Sequence, residues 1–224
     1  MSESGPAYLR FASDGRQEWM MRIGASGGAP ILVVPPLLEE MNRTRALLAA
    51  TMRALAARGH GCWLPDLAGT GESEQELGDI HWDAWRHDVM SASAFVEREN
   101  GQPPLVVSLR GGTLIDDSAA AIGWWRLAPV TGASLARDMV RVGLAGVEWA
   151  GYTPSAELRG RLEDATPIDQ APLRTARLAS DAGIADVKLP GPALWRRSEP
   201  GNSPELVDAC AADITDWYVT CAGS

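Results

Sequence analysis

Pro104-Leu105-Val106-Val107-Ser108-Leu109-Arg110-Gly111-Gly112-Thr113-Leu114 decides how this chain is read. An apolar run short enough for a buried strand enters a tight turn and is followed by residues suited to a helix. Strand, sharp turn and helix, with small residues two places either side of the tip, make a nucleophile elbow, usually written Gly-x-Ser-x-Gly. Here the small flanking residues are Ser108 and Gly112, and the tip is Arg110. A guanidinium does not deprotonate near neutral pH and cannot attack a carbonyl. The position of a nucleophile is present, filled by a fixed cation.

The alternation around this stretch sets the fold class. Tyr8–Ala12 and Glu18–Ile23 flank the turn signal Ser13-Asp14-Gly15 and predict a β-hairpin. Pro30–Val34 is an unbroken apolar run, suited to a central strand covered on both faces and ended by Pro35-Pro36. A helix is expected from about Arg43 to Arg58 with Asn42 as N-cap, then a strand over Gly61–Leu67. A second helix runs from about Asp79 to Glu99, burying Trp85, Val89, Ala92 and Val96. After the elbow a helix is expected over Gly112–Ile122 and a strand over Gly123–Val130. Such alternation predicts a mostly parallel sheet with helices on both faces. Ligands then sit at the carboxyl ends of the strands, so the loops beginning at Pro35, Asp66, Arg110 and Pro129 are expected to share one cleft.

The remainder is less regular. Ser134–Leu144 and Ser155–Leu162 are helical in pattern, with an extended piece at Val147–Ala150, and residues 131–189 are expected to form a small cap-like insertion merging into the last sheet units. A strand is expected over Pro192–Arg196, then a closing helix from Ser203 to Tyr218 with Ser203 as N-cap and Pro204 at its first position. The 224 residues are expected to form one domain.

A net charge of −9 leaves no basic footprint for nucleic acid and no polybasic membrane signal. Cys62, Cys210 and Cys221 have no metal-type spacing and read as buried thiols in a reducing compartment. No apolar run reaches spanning length and the N-terminal residues lack a leader pattern, so a cytoplasmic location is expected. No metal or cofactor is expected. The nine tryptophans are read mainly as layer-packing residues.

Three stretches carry a family resemblance: Pro35-Pro36-Leu37-Leu38-Glu39-Glu40-Met41-Asn42-Arg43-Thr44-Arg45; Asp66-Leu67-Ala68-Gly69-Thr70-Gly71-Glu72-Ser73 with Trp82–Val89; and Leu109-Arg110-Gly111-Gly112 with Trp125, Pro129, Val130, Gly132 and Ala150-Gly151-Tyr152. Together they resemble the second of the two α/β-hydrolase-like proteins found beside bacterial exosortase A systems. The resemblance implies an α/β-hydrolase fold and a setting of exopolysaccharide production and protein sorting to the envelope. It supplies no substrate.

A serine hydrolase of this fold needs nucleophile, acid and histidine in that order along the chain. The histidines, His60, His81 and His87, all precede the elbow, and the C-terminal loop where the base belongs, Arg197–Asn202, has none. Ser108 is a weak candidate nucleophile: it lies two places early, on the strand, where a small residue letting strand and helix pack closely is the favoured reading. Glu39 and Glu40 are weak candidates for acid–base work, needing burial to raise a pKa. Arg110 allows two readings that are not exclusive. It holds an outside carboxylate, phosphate or sulfate, or it is neutralised from within by Glu39 or Glu40. Arg110, Gly111, Leu37, Glu39, Glu40 and Glu199 are the expected ligand contacts. Three functions remain open: binding of an anionic small molecule, a rearranged hydrolase acting on an ester, thioester or glycan-linked substrate, and partnership with the neighbouring hydrolase of the same system.

Overall fold

A computed structural model describes residues 5–142, 149–197 and 199–223. The hairpin forms from β1 (Ala7–Ser13) and β2 (Arg16–Ile23), paired antiparallel. Six further strands follow: β3 (Ala29–Val34), β4 (His60–Pro65), β5 (Leu105–Leu109), β6 (Gly123–Leu127), β7 (Leu173–Leu178) and β8 (Val187–Leu189). The sheet runs β1-β2-β4-β3-β5-β6-β7-β8, and every pair from β4 to β8 is parallel.

The helices are α1 (Glu39–Ala56), α2 (Trp82–Asn100), α3 (Gly132–Val142), α4 (Ala156–Asp164) and α5 (Pro204–Ala222). Strand periodicity divides the core. In β3, Ile31 and Val33 pack with Leu47 and Met52 of α1 and Ile214 of α5. Leu32 and Val34 pack on the other face with Trp85 and Val89 of α2 and Leu135 of α3. Burial on both faces requires the continuous apolar runs seen in β3 and β5. Successive strands step from β3 to β4 on one side and to β5 on the other, so β3 and β5 flank the topological switch point where α/β sheets bind ligands.

Several boundaries differ from expectation. α1 begins at Glu39, preceded by Leu38, because two carboxylates in a first turn suit its exposed N–H groups. Asn42 instead donates to Tyr152 Oη at 2.8 Å. β4 begins at His60, one residue before the expected strand. The helix expected over Gly112–Ile122 is replaced by two 3-10 turns, Arg110–Leu114 and Asp116–Ser118. Ile115 leaves helical geometry at φ −132°, and this lets Asp116 turn inward to Arg126.

Of the elements in residues 131–189, where a cap-like insertion is expected, α3 and α4 precede β7 and β8, which belong to the sheet. Within that stretch Trp149 and Tyr152 form an isolated antiparallel bridge, while the expectations at positions 143, 144, 147 and 148 lie outside the described residues. The strand expected at Pro192–Arg196 is a 3-10 turn at Leu194–Arg196, its apolar residues explained by burial of Leu194 and Trp195. α5 begins as expected, with the Ser203 hydroxyl accepting from the Leu206 N–H. Among the described residues no helix is long and apolar enough to cross a membrane.

Candidate functional site

The elbow exists in the backbone. Arg110 takes φ +52°, a left-handed conformation that a long side chain adopts only when its surroundings impose it. Gly112 makes the turn possible. A Cβ there would lie 2.6 Å from the Pro35 carbonyl and 2.8 Å from that of Val34, so the turn closes directly on the end of β3. A Cβ on Gly111 would meet Leu135 at 2.8 Å and Leu37 at 3.3 Å.

The Arg110 side chain is met from within. Its Nε donates to Glu40 Oε1 at 2.8 Å, and its Nη2 lies 2.8 Å from the same oxygen and 3.2 Å from Asp138 Oδ2. The second Glu40 oxygen accepts from the Gly111 N–H at 3.0 Å. The guanidinium also lies over the Trp195 ring, 5.3 Å from its centroid. In elbows of this type the N–H one residue past the tip is a donor for a developing oxyanion. Here that donor holds the Glu40 carboxylate. Burial pushes the Glu40 carboxyl above the usual carboxylate range, while Arg110 and the Gly111 N–H pull the other way.

These groups form one wall of a cavity of about 810 Å³ at the carboxyl ends of the strands. Arg43, Arg110, Arg137, Arg177 and Arg196 face it, with Glu39, Glu40, Asp138 and Asp181. Glu39 accepts from Arg43 at 3.2 Å and from Asn42 at 3.1 Å, which ties the Tyr152 hydroxyl into the same network. Arg43 also donates to the Trp195 carbonyl at 3.3 Å, and Arg177 pairs with Asp181 at 2.9 Å. Arg137 donates to the Ser134 hydroxyl. Neither Arg137 nor Arg196 has a carboxylate partner among the described residues.

Of the residues expected at the site, Arg110, Glu39 and Glu40 come together in the cavity wall. Leu37 and Gly111 are buried and do not line it, and Glu199 is exposed and outside it. The Asp66 loop is likewise outside the lining; Asp66 braces its own turn by accepting from the Glu72 N–H at 3.1 Å. Ser108 is buried and donates to Asp116 Oδ2 at 2.5 Å, inside an ion pair between Asp116 and Arg126. No histidine lines the cavity. His60 is buried between the Ala29 carbonyl and the Thr215 hydroxyl, His81 lies 3.4 Å from Glu157, and His87 is exposed. Asp138, Arg177, Asp181 and Arg196 were not expected at the site, since each reads in sequence as an ordinary solvent-facing charge. Among the described residues no group of three or more His, Cys, Asp or Glu side chains is placed to hold a metal ion.

No protein-family model matches the chain, and no curated protein matches it by sequence. Solved structures do match in fold. Est1E from Butyrivibrio proteoclasticus, with ferulic acid bound, superposes at TM-score 0.69 and 10% identity over 96% of this chain and 100% of that one. Alpha/beta hydrolase domain-containing protein 10 from mouse gives 0.64 and 14% over 97% and 99%. The thioesterase domain from the curacin biosynthetic pathway gives 0.58 and 13% over 96% and 100%. An epoxide hydrolase from Vigna radiata matches at 0.46 and 15% over 58% of this chain and 42% of its own, so this chain spans less than half of that protein. The protein has the α/β-hydrolase fold, with an arginine at the elbow tip and an internal carboxylate on the adjoining N–H.

Proposed function

We propose that this protein binds an anionic small molecule in the cavity beside the elbow and does not use Ser-His-acid chemistry. The observation that carries this reading is the convergence of five guanidinium groups, one of them at the elbow tip, on a single cavity in a chain of net charge −9. Guanidinium groups recognise carboxylate, phosphate and sulfate through paired, charge-assisted hydrogen bonds. Nucleophilic catalysis would require a deprotonable tip beside a base; the tip is an arginine, and the carboxylates of the wall nearest it, Glu39 and Glu40, are engaged by Arg43, Asn42, Arg110 and the Gly111 N–H. The resemblance to proteins beside exosortase A systems supports a ligand belonging to exopolysaccharide production.

Thermal unfolding across a panel of carboxylates, phosphates and sulfates at constant ionic strength tests the reading, alongside ester and thioester substrates. An anion should stabilise the wild type, and Arg137→Ala or Arg196→Ala should weaken that binding tenfold or more, from about 1.5–3 kcal/mol per charged hydrogen bond lost. Turnover by the purified protein, or stabilisation indifferent to both substitutions, would sink the proposal.

A further inference from the structure

Two donors at the elbow converge on one carboxylate. The Arg110 guanidinium holds one oxygen of Glu40 and the Gly111 N–H holds the other, at 2.8 and 3.0 Å. The donors belong to adjacent residues of one turn; the acceptor comes from α1, seventy positions away from Arg110. Splitting two oxygens of one planar group between a guanidinium and an amide is the geometry of a carboxylate site. The arrangement is imposed, because Leu38, the residue leading into the turn that carries Glu40, sits at φ +54°, and Arg110 itself at +52°. Glu40 is also an occupant under tension: burial raises its pKa even with both donors in place. Glu40 and Arg110 both line the cavity, and the Gly111 N–H, which does not, is covered by Glu40, so a molecule in the cavity reaches both donors by displacing that carboxylate.

We propose that Arg110 and the Gly111 N–H form a carboxylate subsite, held by Glu40 as a tethered competitor, and that a carboxylate-bearing ligand enters it by exchange with Glu40. The proposal builds on the anion-binding reading of the cavity. A tethered group acts at an effective concentration in the millimolar range or above. A simple monocarboxylate therefore loses to Glu40, whereas a ligand that also engages Arg137 or Arg196 at the rim can displace it.

Acetate is the probe, since Glu40→Ala deletes one CH2 and one carboxylate. Thermal unfolding is followed in sodium acetate against sodium chloride of matched ionic strength, for wild type, Glu40→Ala, Glu40→Gln and Glu40→Ala/Arg110→Met. Acetate should stabilise Glu40→Ala saturably, with a midpoint about 100-fold or more below any effect on the wild type. Glu40→Gln, which keeps the site filled, and the double variant should respond to acetate only as they do to chloride. If Glu40→Ala folds only with acetate and not with chloride, that is the same result. If it folds in neither, Glu40→Asp, whose shorter tether withdraws the carboxylate, must show the acetate response. An absent response in both variants, an equal response in the double variant, or phosphate acting as well as acetate would overturn the subsite. Loss of the subsite with anion binding still sensitive to Arg137→Ala would leave the cavity reading standing, and the reverse pattern would remove that reading while keeping the subsite.

Discussion

Replacing Arg110 with methionine isolates what the guanidinium does for the fold. The Arg110 and Glu40 side chains are 11% and 4% exposed. Removing one partner of a buried pair costs about 3–5 kcal/mol, because the other charge is left without compensation. Two features favour the lower end here. The Gly111 N–H still donates to Glu40, and Glu40 can take up a proton, its pKa being raised by burial already. A loss of about 3 kcal/mol near pH 8 corresponds to a Tm lower by about 6–12 °C for a chain of this size.

The pH dependence follows from the same shift. A carboxyl whose folded pKa lies above its unfolded value adds stability that is fully present below the unfolded value, 4.5 for Glu40, and is lost as pH rises through the folded one. Without Arg110 the folded pKa rises further, so the variant loses more than the wild type between the two. The gap should be smaller near pH 5 than near pH 8. Guanidinium chloride titrations at both pH values measure it, and Arg110→Met/Glu40→Met should recover most of the loss, since apolar replacement of a whole buried pair is often neutral. A single variant within about 1 kcal/mol of wild type near pH 8, a pH-independent loss, or a double variant no better than the single would refute the reasoning.

Asp116 is pushed up to about 6 by burial, against the pull of Arg126 and Ser108, so its contribution is fully present below 3.8 and lost as pH rises through about 6. Asp116→Asn should therefore flatten the fall in stability across that window, which chemical denaturation at several pH values would read. Ser108→Ala should cost about 1–2 kcal/mol through its lost hydrogen bond, and a fluorophosphonate probe should leave the wild type unlabelled. Labelling that disappears in Ser108→Ala would instead make Ser108 a nucleophile. Gly112→Ala forces the turn away from the Pro35 and Val34 carbonyls and should cost about 1–3 kcal/mol or more, visible as a lower denaturant midpoint at unchanged slope.

Local signals located what is local. The hairpin, β3, the Trp85-Val89-Ala92-Val96 stripe of α2 and the Ser203 cap of α5 follow periodicity or capping chemistry, and each stands where those rules put it. The elbow tip was legible because small residues bracket Arg110. The helix expected after it failed because its fate depends on Arg126, ten residues away on the neighbouring strand, which draws Asp116 inward. The sequence left open whether Glu39 or Glu40 would meet Arg110. Helix phase decides it: consecutive residues point about 100° apart, so Glu40 faces the elbow while Glu39 turns to Arg43 on its own helix. Asp138 of α3, Arg177 of β7 and Arg196 come from three separate segments, and only the packed fold gathers them at one cavity.

The backbone around that cavity carries its own argument about purpose. Leu38, Arg110 and Ala128 all have φ between +50° and +54°, and they follow β3, β5 and β6, three adjacent strands of the sheet. Each left-handed non-glycine residue costs about 1–3 kcal/mol, and such positions persist only where the surrounding structure over-determines them. A core needing only to be stable would relax them, for instance with glycine, which bears positive φ without penalty. Two of these turns bring the Arg110 guanidinium, the Gly111 N–H and the Glu40 carboxylate together, and the third leads into Pro129, Val130 and Thr131 in the wall of the cavity beside them. Among the described residues, besides Asp14 in the hairpin turn and Ala150, the left-handed non-glycine residues stand at the ends of β3, β5 and β6, so the backbone is over-determined at the cavity end of the sheet, which accords with the proposed anion site there.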